Sequence, residues 1–185
     1  RCLSDWSSDV CSSDLDVTLA LTKRLREEFP RVGVCLQAYL FRTREDLEDI
    51  TGRGIGVRLV KGAYAEPATV AFPKKSDVDA NYLALAQVML GPAARAAGSR
   101  AVFGTHDLSL IESIRAHARS AGVTPDGFEV HMLYGIQKPA QLRLAQDGVQ
   151  VRVLIAYGDY WFPWYMRRLA ERPTNVWFVV QSLFG

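Results

Sequence analysis

Between residues 17 and 29 the apolar side chains Val17, Leu21, Leu25 and Phe29 recur every fourth position, which sets them along one helical stripe that Pro30 ends. Val32 to Leu40 (VGVCLQAYL) then reads as a strand with Gln37 near its carboxyl end. A short helix over about 44–50 follows, and glycines at 52, 54 and 56 lead into a second strand, Ile55 to Val60. The next connection, 65–77, exceeds the roughly 2–6 residues usual between strand and helix, and such loops more often carry function. A helix is predicted over 78–97, with Val78, Tyr82, Leu85 and Met89 on its buried stripe. The theme then repeats. Arg100 to Gly104 is a strand ending in Thr105-His106, with Asp107 placed to cap a helix over 108–121. Phe128 to Leu133 is a strand with Glu129 and His131 among apolar residues, and its helix has Pro139 in the first turn and Gly148 just past the end. A fifth strand, Val149 to Ala156, runs into Tyr157-Gly158, and a last helix over 161–171 is stopped by Pro173.

Strands alternating with helices imply a parallel sheet with right-handed crossovers, so that all strand carboxyl ends lie on one side. Gln37, Arg58, Lys61, Thr105, His106, His131 and Tyr157 gather there. An open doubly wound sheet and part of an eight-stranded barrel both fit, and in both the site lies at that side. No strand is followed by GxGxxG, which argues against a dinucleotide-binding open sheet. About 170 regular residues fall short of the ~250 typical of eight units. The expected fold is therefore α/β, the carboxyl-terminal five βα units of a (β/α)8 TIM-like barrel with its first units missing. Arg1 to Ser13 stands apart: rich in Ser and Asp, it lacks both structural periods and the basic start and apolar stretch of a signal peptide. It looks like translated sequencing adapter, so the expected organisation is a non-native stretch over 1–13 and a barrel part over 14–185.

Composition narrows the function classes. Lys and Arg number 22 against 20 Asp and Glu, a net charge of +2, too little to suggest nucleic acid or an anionic membrane as partner. Hydrophobic residues make up 49%, enough for a packed core. No apolar run approaches the ~20 residues that span a bilayer. Cys2, Cys11 and Cys35 have neither CxxC nor metal-ligand spacing, which suggests a reducing compartment. The three histidines, His106, His117 and His131, likewise lack ligand spacing, and no metal is expected. His117 reads as a surface residue.

Two constellations carry candidate chemistry. In VRLVKGAY (Val57 to Tyr64) a cation, Arg58, lies inside a strand that must be apolar on both faces. It either pairs with a carboxylate on a neighbouring strand or serves a ligand. In YMRRLAER (Tyr165 to Arg172), Tyr165 and Arg168 share a helix face and Arg167 can pair with Glu171. Adjacent guanidiniums suit a carboxylate, because each presents a planar fork of donors. A solvated helix with one Arg–Glu pair is the alternative.

The stretches QAYL, VRLVKGAY, GTHD, FEVHMLYGI and YMRRLAERPTNV, in this order and at these spacings, resemble the proline dehydrogenase family over Val32 to Val180. Termination soon after the last helix resembles its monofunctional bacterial branch. The resemblance implies an oxidoreductase of proline catabolism, a flavoprotein on a distorted (β/α) barrel. Such an enzyme oxidises L-proline to Δ1-pyrroline-5-carboxylate, FAD takes the hydride, and a membrane quinone accepts the electrons. By the same resemblance Gln37, Arg58, Lys61, Gly62, Ala63, Thr105, His106 and Glu171 contact FAD. Arg58 lies near the reactive edge of the flavin and Tyr64 contacts the substrate ring, which makes these two the catalytic pair. Arg167 and Arg168 bind the proline carboxylate, Tyr165 supports substrate binding, and Glu171 holds either the arginine-bearing helix or a cofactor group. A cytoplasmic enzyme is implied, with a peripheral position at the inner face of the cytoplasmic membrane as the alternative.

The sequence departs from the family pattern in places. VLIAYG stands where a run like VYVPYG is usual, so Leu154 and Ala156 replace Tyr and Pro, and His131 stands where Gln is common. A lost phenol bears on which substrate is bound. His131 is either a satisfied core histidine or a flavin contact. The family's substrate lysine and catalytic aspartate, on earlier strands, have no counterpart. The competing readings are a flavin barrel acting on another cyclic amine or amino acid, and an inactive truncated product with only a binding role. For the 185 residues alone the expectation is a loosely folded chain that binds no FAD.

Overall fold

A computed structural model describes residues 14–62, 66–155, 157–159 and 161. The elements run α1 (Leu15–Glu28), β1 (Gly33–Gln37), α2 (Thr43–Gly52), β2 (Gly56–Val60), α3 (Lys75–Met89), α4 (Pro92–Ala96), β3 (Ala101–Gly104), α5 (Leu108–Ser120), β4 (Glu129–Leu133), α6 (Lys138–Gln146) and β5 (Gln150–Leu154). The five strands form one sheet in the order of the sequence, and every neighbouring pair is parallel. That order decides between the two architectures. A doubly wound sheet reverses direction at a switch point, whereas a barrel adds each strand beside the last.

The helices confirm it. Alternate residues of the strands, Val34 and Leu36, Val57 and Leu59, Ala101 and Phe103, Val130 and Met132, join buried side chains from α1, α2, α3, α5 and α6 in a single hydrophobic cluster. One face of the sheet is thus covered by helices, as in the wall of a barrel. The other face carries Cys35 and Gln37, Arg58 and Val60, Val102 and Gly104, Glu129 and His131, and Arg152. Within the core the Tyr82 hydroxyl donates to the Leu59 carbonyl at 3.0 Å, which satisfies the one polar atom of a fully buried ring.

Two predicted elements differ from what forms. The α1 stripe faces outward: Val17, Leu21 and Phe29 are exposed, while Leu15, Leu19 and Thr22 are buried. Two apolar stripes coexist on this helix, and the one that packs is set by where β1 and α2 lie. The single helix predicted over 78–97 starts earlier and is two, α3 and α4, divided at Leu90-Gly91 before Pro92. Proline is favoured in a first helical turn and disfavours helix in the residue before it, so Pro92 opens α4 and closes α3. Asp107 caps α5 as expected, its side chain accepting from the Leu110 amide. The helix predicted over 161–171 lies outside the described residues, apart from Trp161.

Candidate functional site

Parallel register brings the predicted residues to one edge. Cys35, Arg58, Val102, Glu129 and Gln150 form one cross-strand row, and Gln37, Val60, Gly104, His131 and Arg152 form the next row toward the carboxyl ends. Lys61, Gly62, Thr105 and His106 lie just beyond the ends of β2 and β3. Ala63, Tyr64, Tyr165, Arg167, Arg168 and Glu171 fall outside the described residues.

Arg58 is half-buried, and its Nε is buried without a hydrogen-bond partner among the described residues. The carboxylate that could have neutralised it is Glu129, the one acidic residue in the five strands. Glu129 is engaged elsewhere: Arg100 Nε lies 3.0 Å from its Oε1, Arg152 Nε donates to its Oε2 at 2.6 Å, and His131 Nε2 lies 3.0 Å from the same oxygen. The paired reading of Arg58 is therefore not the one the fold adopts. Gly104 makes room for it, since a Cβ there would lie 2.9 Å from Val60 Cγ1 and 3.4 Å from Arg58 Nε. A buried N–H donor without an acceptor costs free energy unless something electron-rich completes it.

The histidines divide in role. A carboxylate only accepts, so His131 donates from Nε2 to Glu129. Burial lowers its pKa; Glu129 opposes this and the Arg58 and Arg100 charges reinforce it. His131 is thus a partner of Glu129 on the face turned away from the helices, held toward its neutral form. Glu129 itself lies below the usual carboxylate range: burial raises it, and the bonds from His131 and Arg152 outweigh burial. His106 accepts the Leu133 amide on Nε2 at 2.8 Å, which puts its ring proton on Nδ1 and ties the exit of β3 to the end of β4.

The exits of β1, β2 and β3 are fastened together. Ala38 N donates to the Val60 carbonyl at 2.8 Å and Tyr39 N to the Lys61 carbonyl at 3.0 Å. Gly62 takes φ +114°, and a Cβ there would lie 2.2 Å from Tyr39 Cδ1, so the turn needs glycine on both counts. The long loop after β2 folds back on the same place: Phe72 N donates to the Tyr39 carbonyl, Phe41 N to the Val70 carbonyl, and the Phe41 and Phe72 rings meet edge-on at 4.7 Å. Asn81 of α3 donates to the Ala38 carbonyl at 2.7 Å. Gln37 is buried, and its backbone carbonyl takes the Thr43 hydroxyl at 2.5 Å.

Lys61 points away from Arg58, to the helix side. Its side chain is 4% exposed and is ion-paired to Asp79 and to Asp107, the latter at 2.8 Å. Thr105 is buried and accepts the Asp107 amide on Oγ1 at 3.1 Å. Asp79 and Asp107 are both held below the usual carboxylate range; burial raises them, and it is outweighed by Lys61 and Lys75 together at Asp79 and by Lys61, Ser109 and the Leu110 amide together at Asp107. Sequence reasoning named Asp107 only as a cap, noted Glu129 in its strand without giving it a role, and passed over Asp79 and Arg152. A lone acid in an apolar strand, as in FEVHML, was the signal available for Glu129.

Comparisons with known proteins bear on the family. The family profile described as proline dehydrogenase matches residues 11–181. Proline dehydrogenase of Deinococcus radiodurans is 42% identical over 171 residues, 91% of this chain and 54% of that protein. Proline dehydrogenase 2 of Bacillus subtilis (strain 168) is 40% identical over 166 residues, 90% of this chain and 53% of its own. The chain thus spans about half the length of the curated relatives it matches. Among solved structures, proline utilization A from Bdellovibrio bacteriovorus, inactivated by N-propargylglycine, superposes with a TM-score of 0.77 at 25% identity, covering 88% of this chain and 19% of that one. Stretches placed along one sheet edge by the fold, and matched across nine-tenths of the chain by these relatives, make the assignment: the chain belongs to the proline dehydrogenase family.

Proposed function

We propose that this chain carries the carboxyl-terminal units of an FAD-dependent dehydrogenase that oxidises L-proline to Δ1-pyrroline-5-carboxylate and passes the electrons to a membrane quinone. The observation that carries the reading is Arg58, a cation inside a strand whose buried Nε has no partner among the described residues, while the one carboxylate in the five strands, Glu129, serves Arg100, Arg152 and His131. The cofactor, when bound, would accept the hydride from the substrate carbon. Arg58 would set a fixed positive charge beside it and favour its electron-rich reduced form, the electrostatic contribution expected of a preorganised cation. Gln37, Gly62, Ala63, Thr105, His106 and Glu171 would line the cofactor, and Tyr64 would pack on the substrate ring. Tyr165, Arg167 and Arg168 would hold the proline carboxylate, fixing the reacting carbon in place. Leu154 and Ala156, in place of Tyr and Pro, make substrate choice the finest part of this proposal.

The test is binding and reduction in the full-length protein. FAD should co-purify or bind on titration, and anaerobic L-proline should bleach its visible absorbance. Arg168→Lys keeps the charge and loses the fork, so bleaching should need much higher proline. Bound flavin unbleached by proline, but bleached by another cyclic amine, would move the substrate assignment. Absence of flavin would remove the enzymatic reading.

A further inference from the structure

The resemblance places Lys61 among the cofactor contacts, yet its ammonium lies on the opposite face of the sheet from Arg58. Along β2, Val57 and Leu59 face the helices, and Lys61 continues their alternation. Its Nζ lies 2.8 Å from Asp107 Oδ2 and is paired to Asp79, and Asp79 also pairs with Lys75. Two cations and two carboxylates form a closed, neutral set. An ammonium held this way has little charge left for a phosphate, and a phosphate brought to it would face two aspartates.

Each partner of Lys61 fixes a different part of the site edge. Asp107 Oδ1 accepts the Ser109 hydroxyl at 2.7 Å and the Leu110 amide at 3.4 Å, and the Asp107 amide donates to Thr105 Oγ1. Asp79 belongs to α3, whose Asn81 holds the β1 exit. The Lys61 carbonyl accepts from Tyr39, which packs against Gly62.

We infer that Lys61 is a positioning residue: its charge bridge to Asp79 and Asp107 locks the backbone at Gly62 against the Thr105-His106 turn, and its ammonium makes no contact with the cofactor. The inference rests on the flavin reading above for the identity of the ligand.

A double-mutant cycle on FAD affinity tests it. Full-length protein stripped of flavin is titrated with FAD, well below the melting temperature, for the parent, Lys61→Met, Asp107→Asn and the double variant. Lys61→Met and Asp107→Asn should each weaken FAD binding by roughly 10-fold or more, as loss of a supporting partner commonly does. The double variant should bind no worse than Lys61→Met alone, because both singles break one bridge. The absorbance envelope of bound FAD should shift alike in both singles, and Lys61→Arg should restore most of the affinity. Losses that multiply in the double variant, or an Asp107→Asn protein that binds FAD as the parent does while Lys61→Met does not, would overturn the inference and make the ammonium a direct contact. If Lys61→Met does not fold, Asp79→Asn and Asp107→Asn on native Lys61 decide by the same affinity criterion. If the parent binds no FAD, the flavin reading fails separately, and the same cycle read in melting temperature judges the bridge: coupled losses support it and additive losses overturn it.

Discussion

Whether a charged residue in an apolar strand serves structure or chemistry is decided by its nearest opposite charge. Glu129 is the one carboxylate in the five strands, two strands from Arg58, and it belongs to Arg100, Arg152 and His131. Removing Arg58 should therefore leave stability nearly untouched. Arg58→Gln is expected to melt close to the parent while losing about 10²–10³ in the rate of proline-dependent flavin reduction, the range for deleting one preorganised electrostatic contact. Melting curves beside stopped-flow reduction check both halves. His131 gives a pH prediction. Its folded pKa is lowered from the ordinary ~6.5, so the unfolded chain takes up the proton first as pH falls. Stability is full above about pH 6.5 and declines below it, and His131→Gln should flatten that decline between pH 7 and 5. Asp79 and Asp107 act in a lower window: their depressed carboxyls contribute stability above about pH 4 that is lost on further acidification. Arg58 was legible in the sequence because one cation interrupts an apolar run. The partners of Glu129 were not, because Arg100 just precedes β3 while Arg152 lies in β5, and only the register aligns them.

The element that organises the site is β2 with its exit. Backbone hydrogen bonds from Ala38 and Tyr39 and the Lys61 bridge converge on residues 60–62, and the returning loop fastens the β1 exit beside them. Gly62→Ala should consequently cost about 1–3 kcal/mol, combining overpacking against Tyr39 with a positive φ that alanine tolerates poorly. Chemical denaturation measures this, and a cost below about 0.5 kcal/mol would contradict the geometry. Strand limits were readable to within a residue or two at most ends because apolar runs and glycines delimit them. Which stripe of α1 packs was not legible because a four-residue repeat is nearly degenerate: Leu15 and Leu19 offer the same spacing as Val17 and Leu21, and it is the first pair that is buried. The split of α3 from α4 was available at Gly91-Pro92 and was outweighed by the helix formers on both sides.

At the scale of the molecule, sequential parallel order and helices on one face place the polar residues on the inner side of a barrel wall. The alternation of elements made that architecture legible, and the missing GxGxxG removed its rival. The charge pairs crossing the inner face were hidden, since they depend on curvature and register. Among the described residues β1 and β5 are each paired on one side only, and Leu154, Ile155 and Tyr157 beyond or at the end of β5 are exposed. Open edges template association. The 185-residue chain produced alone is accordingly expected to self-associate and to bind no stoichiometric FAD, as judged by light scattering and flavin absorbance. A monomer with a cooperative melt and one bound FAD would refute that. The central claim, that the sheet face carrying Arg58 serves proline oxidation on a flavin, is met most directly by mixing the full-length protein with L-proline under anaerobic conditions and following the visible flavin band. The account predicts saturable bleaching in the parent and bound but scarcely bleached flavin in Arg58→Gln; a parent whose flavin ignores proline, or an Arg58→Gln protein that bleaches as fast as the parent, would contradict it.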